Sequence, residues 1–165
     1  GVNVLIWNCR GYGLTRATKW YHAWENYASP DNFCTDAMAL MRYLRGQMGL
    51  RGKIGVYGRS LGGIAATCMS RYVDMAIVDR SFANLHDVAN RKFHGESATT
   101  IFKMVLPKYR ASNDRDFINC DWDTTYCQPD EGCYKVITCD IADEIVELQS
   151  SLMVGVARSI CQKYM

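Results

Sequence analysis

Apolar residues occur in short blocks separated by glycine-rich or polar turns along most of the chain. The first block, residues 1–7, is rich in β-branched residues and almost continuously apolar. That pattern is typical of a strand buried on both faces of a parallel sheet. Residues 54–57, 75–78 and 134–138 form three further short apolar blocks and are also predicted to be strands.

Helical patterns lie between and after these blocks. Ser29, Pro30 and Asp31 supply an N-cap, a proline at the first helical position and an early carboxylate. The helix is predicted to end near Gly49. Apolar residues occur along it at helical spacing, at Phe33, Ala37, Leu40, Met41, Leu44 and Met48. Further helices are predicted at 64–69, 85–89, 101–106, 116–120 and 148–161. The alternation predicts an α/β fold in which helices flank a parallel sheet, within a single domain spanning residues 1–165.

Composition excludes several classes of protein. Of the 165 residues 48% are hydrophobic, enough for a core and too many for a disordered chain. The net charge of +2 is too small for the basic surface that nucleic-acid binding needs, so no nucleic-acid partner is predicted. The apolar blocks are far shorter than the roughly 20 residues that span a bilayer.

The eight cysteines form no CxxC pair and match neither a zinc nor a redox template. We therefore expect reduced thiols, with disulfide bonding as the alternative, and no metal or cofactor. Cys9 and Cys68 are expected to be small buried residues. The chain opens without an initiating Met and directly in a predicted strand, and no signal or transit peptide is predicted within it.

The strongest chemical signal is the sequence Gly-Arg-Ser-Leu-Gly at residues 58–62, which matches G-x-S-x-G between a predicted strand and a predicted helix. A serine at such a turn has a strained backbone, so Ser60 is predicted to have a positive φ. The flanking positions require glycine because side chains there would collide with the strand and the helix. The turn would expose the Ser60 hydroxyl and direct the Leu61 N–H toward a developing oxyanion. The alternative is a glycine-rich turn with an incidental serine.

The motif and its surroundings resemble the α/β-hydrolase superfamily, most closely the ABHD-type serine hydrolases of lipid and acyl-ester metabolism. The likeness rests on VNVLIWNCRGYG, IGVYGRSLGGIAA, MAIVDRSFANLHDVA and YKVITCDIADEIVELQSSLMVGVA. It implies that Ser60 is the nucleophile and Asp143 the triad acid, with Asp79 as the runner-up acid. Asp140 departs from the pattern, because the family usually has glycine there. Residues 93–132 correspond to the family's variable lid.

A serine hydrolase also needs a histidine base, which in this fold follows the acid. His22, His86 and His94 all precede Asp143. The resemblance therefore implies an incomplete α/β-hydrolase fold: the central portion, without the early strands that supply the second oxyanion donor and without the last strand that supplies the histidine.

Two functions remain open. One is a serine hydrolase of acyl esters, thioesters or lipids, cytoplasmic or peripheral to a membrane, with its histidine outside this chain. The other is a non-catalytic subunit whose sheet is completed by a protein partner or a missing segment. Arg59 is expected to pair with Asp79 or Asp74 rather than with an anionic substrate. The aromatic residues of 20–27 are expected to pack in the core or at a partner interface. The methionines Met38, Met41 and Met48 are expected in the core.

Overall fold

The computed structural model of the chain describes residues 1–15, 29–83, 87–88, 91 and 132–165. Three histidines, the aromatic stretch 20–27 and the predicted helices 101–106 and 116–120 lie outside these ranges. The lid-like segment 93–132 also lies outside them, apart from Gly132. Of the predicted helix 85–89, Asp87 and Val88 are described, and both are helical.

The centre of the fold is a three-stranded parallel sheet in the order β1-β2-β3. The strands are β1 (Gly55–Arg59), β2 (Met75–Asp79) and β3 (Tyr134–Thr138). They are in register, so that Arg59, Asp79 and Thr138 form the last row. Three predicted strands are thus confirmed to within two residues at each end, and the α/β class is confirmed.

The predicted strand at residues 1–7 is wrong. Residues 1–9 form no regular element, and Val2 and Ile6 are 91% and 89% exposed. Among residues 1–9, only Trp7 and Cys9 pack against the core. A strand requires a neighbouring strand to satisfy its main-chain groups. In the described part of the chain β1 pairs with β2 alone, and residues 1–9 do not pair with the other edge of β1, so the apolar block forms no strand.

Helix α1 (Pro30–Arg42) begins as predicted, since the Ser29 hydroxyl accepts a hydrogen bond from the Asn32 N–H at 3.1 Å. The helix continues as a π-helix over Tyr43–Gln47. The wider turn changes the helical period, which explains why Met48 is 57% exposed although its spacing predicted a core position. The predicted core role of Met41 is confirmed.

Helix α2 (Gly63–Met69) packs between α1 and the sheet, and a C-terminal helix, α3 (Leu152–Tyr164), contacts β3. The core includes Phe33, Met41, Val56, Ile64, Ala76, Val78, Phe82, Val146 and Leu152. Short 3₁₀ turns precede and follow α2 and precede α3, at Ser60–Gly62, Ser70–Tyr72 and Leu148–Ser150. No helix within the described ranges has the length and apolar character needed to cross a membrane.

Cys34 of α1 and Cys68 of α2 form a disulfide bond, which contradicts the expectation of reduced thiols throughout. Their Cα atoms lie 5.6 Å apart, within the usual range for a disulfide. Their separation of 34 residues in sequence gives no local motif, so only the side-by-side packing of α1 and α2 reveals the pair. Cys68 is therefore a bonded cysteine and not a free buried thiol. Burial raises the pKa of the free Cys9 thiol, and the nearby Asp36 carboxylate raises it further.

Candidate active site

Ser60 lies at a sharp turn where β1 ends. Its φ is +51°, which confirms the positive value predicted for this position. The 3₁₀ turn Ser60–Gly62 begins at this residue and leads directly into α2. A left-handed conformation costs a non-glycine residue about 1–2 kcal/mol, so the surrounding structure must hold it in place.

The motif predicts a steric need for glycine on both sides of Ser60, and the structure shows that need at Gly58 and Gly63 and not at Gly62. A Cβ on Gly58 would lie 2.6 Å from the Gly62 carbonyl carbon and 2.8 Å from the Ala66 Cβ, so the close approach of α2 to β1 requires glycine there. A Cβ on Gly62 would meet nothing within 4 Å, so its predicted packing is wrong. Gly63 has the second close contact, because its Cβ would lie 2.5 Å from the Ser81 Cβ. The sequence offered two adjacent glycines, and only the position of Ser81 shows which one is needed.

Leu61 follows Ser60 directly and is partly buried. Its amide N–H has no hydrogen-bond partner in the described ranges. The same peptide group includes the Ser60 carbonyl, which accepts a hydrogen bond from the Gly63 N–H. An N–H left without a partner beside a serine hydroxyl is the donor arrangement that stabilises an oxyanion.

Asp79 ends β2 and connects all three strands at their carboxyl ends. Oδ2 accepts hydrogen bonds from the Tyr57 hydroxyl at 2.8 Å and from Arg80 Nη2 at 3.2 Å. Oδ1 accepts from the Thr138 hydroxyl at 2.7 Å and from Arg80 Nε at 3.1 Å. These donors, first the Arg80 guanidinium and then the Thr138 and Tyr57 hydroxyls, lower the pKa of Asp79 to about 2. Both oxygens are therefore already engaged within the protein.

Asp143 lies in the turn that follows β3. Its Oδ1 accepts hydrogen bonds from the N–H groups of Ile145 at 2.8 Å and Val146 at 2.9 Å. These two bonds, Val146 first, hold the pKa of the carboxyl below its ordinary value, and the positive charges of Arg80 and Arg59 lower it further. Its Oδ2 has no hydrogen-bond partner among the residues that the structure describes. Asp143 is therefore ionised at neutral pH and has one oxygen available to a further donor.

The two arginines at this edge differ in how firmly they are held. Arg80 is bound to Asp79 through both Nε and Nη2, whereas Arg59 Nε lies 3.9 Å from Asp79 Oδ2. The predicted pairing of Arg59 with Asp79 is thus confirmed. Asp74, the alternative partner, lies 3.9 Å from Arg45 instead.

Because all three strands are parallel, their carboxyl ends lie at one edge of the sheet, where open α/β sheets bind ligands. Ser60 and the turn containing Asp143 follow β1 and β3 at that edge, and Asp79 is the last residue of β2. His22, His86 and His94 fall outside the described residues, so no histidine is assigned to the site.

The loop after residues 1–9 is anchored to α1. The Arg10 guanidinium forms an ion pair with Asp36, and it also donates to the Asn32 side chain at 3.4 Å. Gly11 and Gly13 have positive φ values of 87° and 54°. Positive φ at both glycines and the Arg10 contacts together fix the path of this loop.

Sequence reasoning missed Arg80 and Ser81. Arg80 has a φ of +48°, and Ser81 is buried with its hydroxyl donating to the Ser60 carbonyl oxygen at 2.8 Å. Neither belongs to a motif with a recognisable spacing, and only the pairing of β1 with β2 brings Ser81 beside Ser60.

Comparisons with protein-family models, with curated proteins and with solved structures return no match to this chain. Within the described residues, no group of three or more His, Cys, Asp or Glu side chains is arranged to hold a metal ion.

Proposed function

We propose that the protein is a serine hydrolase that cleaves an acyl ester, thioester or lipid through an acyl-enzyme on Ser60. The observation that supports this most directly is the left-handed Ser60 at the strand-to-helix turn, with Gly58 giving α2 its close approach to β1. A positive φ is costly for serine, and backbone strain of this kind is concentrated at functional sites. The same turn leaves the Leu61 N–H without a partner beside the hydroxyl.

In this proposal Asp143 is the acid, and Asp79 has a structural role. A triad acid must be ionised and must accept a hydrogen bond from the histidine. Asp143 meets the first condition through its two main-chain donors and the second through Oδ2. Asp79 already accepts four hydrogen bonds from three side chains, so an imidazole would have to displace one of them.

The chemistry follows from these positions. A histidine takes the Ser60 proton as Oγ attacks the acyl carbon, and the Leu61 N–H stabilises the negative charge on the carbonyl oxygen. The histidine then returns the proton to the departing alcohol or thiol, and water hydrolyses the acyl-enzyme by the same route. In this proposal the base is a histidine outside these 165 residues. The enzyme acts in the cytoplasm or at a membrane surface.

Labelling with a fluorophosphonate tests the proposal. The polypeptide as its gene encodes it should label at Ser60, and Ser60→Ala should abolish the labelling. Asp143→Asn should slow it by about 10³- to 10⁴-fold, because the histidine loses its correct tautomer. Asp79→Asn is the matched control and should slow it less than tenfold.

The 165-residue chain expressed by itself should label very slowly, because it lacks the base. Rapid labelling of that chain at Ser60 would show that His22, His86 or His94 is the base. If the gene-encoded polypeptide is folded and Ser60 does not label, the proposal is wrong and the non-catalytic subunit is the better interpretation.

A further inference from the structure

Two neighbouring strands end in the same unusual way. Ser60 after β1 and Arg80 after β2 are the only non-glycine residues with positive φ in the described part of the chain, at 51° and 48°. The residues preceding them, Arg59 and Asp79, are paired in the sheet register. Two adjacent left-handed turns at one sheet edge need interactions that stabilise both.

Arg80 is held on two sides. Its N–H donates to the Thr138 carbonyl at 2.9 Å, and its guanidinium binds the Asp79 carboxylate. The left-handed turn at Arg80 then places the next residue, Ser81, beside the turn that contains Ser60. The conformation of Arg80 therefore determines where Ser81 lies.

Ser81 contacts the Ser60 turn in two ways. Its hydroxyl donates to the Ser60 carbonyl oxygen at 2.8 Å, and its Cβ occupies the space that a Cβ on Gly63 would need. Ser81 is 3% exposed, and its own carbonyl accepts a hydrogen bond from the Leu152 N–H at 2.9 Å. Water therefore cannot readily replace the Ser81 hydroxyl as donor to Ser60.

The Ser60 carbonyl and the Leu61 N–H belong to one planar peptide group and point in opposite directions. A hydrogen bond that fixes the carbonyl oxygen therefore also fixes the direction of the N–H. We propose that Ser81 is a positioning residue that holds the left-handed backbone of Ser60 and thereby aims the Leu61 N–H at the oxyanion. The catalytic part of this inference rests on the proposed hydrolase function, whereas the backbone part does not.

Ser81→Ala removes the hydroxyl with little change in volume, and Ser70→Ala is its matched control. Ser70 is fully buried, and its hydroxyl donates to the Thr67 carbonyl at 2.7 Å, at the opposite end of α2. Both changes remove one buried hydrogen bond to a main-chain carbonyl, so we expect both to lower stability. Only the first should change the chemistry at Ser60.

The catalytic readout is the rate of fluorophosphonate labelling of the gene-encoded polypeptide, separated into the inactivation rate constant and the inhibition constant. Ser81→Ala should lower the rate constant by about 10- to 100-fold and leave the inhibition constant within about twofold, because the oxyanion donor acts in the transition state. Ser70→Ala should leave both within about twofold. A folded Ser81→Ala variant that labels at the wild-type rate would overturn the catalytic role.

Amide hydrogen exchange provides a readout that does not depend on activity. The Gly63 N–H donates to the same Ser60 carbonyl, so in Ser81→Ala it should exchange about three- to tenfold faster than in the wild type. Ser70→Ala should leave that rate within about twofold. If the wild type does not label but Gly63 exchanges faster in Ser81→Ala alone, the hydrolase proposal fails and the backbone role of Ser81 is supported. Unchanged exchange at Gly63 overturns that role.

Discussion

Alanine substitutions at Gly58, Gly62 and Gly63 separate what the G-x-S-x-G spacing predicts from what the packing requires. The spacing assigns the same steric role to Gly58 and Gly62. In the structure a Cβ on Gly58 would lie 2.6 Å from main-chain carbon and 2.8 Å from the Ala66 Cβ, and neither can move without shifting α2. Overpacking of this kind costs about 1–3 kcal/mol, so Gly58→Ala should lower the free energy of unfolding by that amount.

Gly62→Ala should have the opposite sign. Gly62 has helical dihedral angles, φ −65° and ψ −17°, and open space where the methyl group would lie. Alanine therefore fits without strain and restricts the unfolded chain, which should stabilise the protein by about 0.4–1 kcal/mol. Gly63→Ala should destabilise it, because its methyl group would overlap the Ser81 side chain.

Urea unfolding of the three variants, followed by circular dichroism, measures these differences. The expected order of stability is Gly62→Ala, wild type, then Gly58→Ala and Gly63→Ala together. A Gly62→Ala variant as unstable as Gly58→Ala would refute the open space found at Gly62 and support the steric role that the G-x-S-x-G spacing predicts for it. A neutral Gly58→Ala would refute the close approach of α2 to β1.

The remaining predictions concern the Asp79 network and the disulfide. Because the pKa of folded Asp79 is about 2 and that of an unfolded aspartate about 3.9, the native state binds this proton more weakly. The ionised Asp79 carboxylate therefore contributes its full stabilisation above about pH 4, and this contribution is lost as the pH falls toward 2. In Asp79→Asn the free energy of unfolding should no longer show this decrease between about pH 4 and pH 2. The bonded Asp79 carboxylate raises the pKa of Tyr57, so Asp79→Asn should let that phenol ionise at lower pH in an ultraviolet titration referenced to Tyr57→Phe. An unchanged acid profile or phenol titration would contradict the network. The disulfide closes a separation of 34 residues, so Cys34→Ser should cost about 3–4 kcal/mol of unfolding free energy relative to the oxidised protein. Equal stabilities, or a non-reducing digest without a Cys34 peptide linked to a Cys68 peptide, would contradict the pairing.

Local patterns predicted much of this protein correctly. Short β-branched blocks between turn residues indicated β1, β2 and β3, because strands of a buried parallel sheet need apolar residues on both faces. Ser29 and Pro30 indicated where α1 begins, because capping depends on a few neighbouring main-chain groups. The positive φ of Ser60 also followed from its neighbours in sequence.

Tertiary structure decided what depends on partners distant in the chain. Residues 1–7 have a strand-like composition, yet a strand forms only where two segments pair through their main chains, and the fold does not pair residues 1–7 with β1. The Cys34–Cys68 bond, the contact between Gly63 and Ser81, and the hydrogen bond from Ser81 to Ser60 join residues 18 to 34 positions apart in the sequence. Asp79 and Asp143 both follow strands and cannot be told apart by pattern. Their hydrogen bonds distinguish them, because four donors saturate Asp79 while Asp143 keeps one oxygen available. Sequence periodicity reports which face of an element is apolar, whereas only the packed fold determines which atoms meet across it.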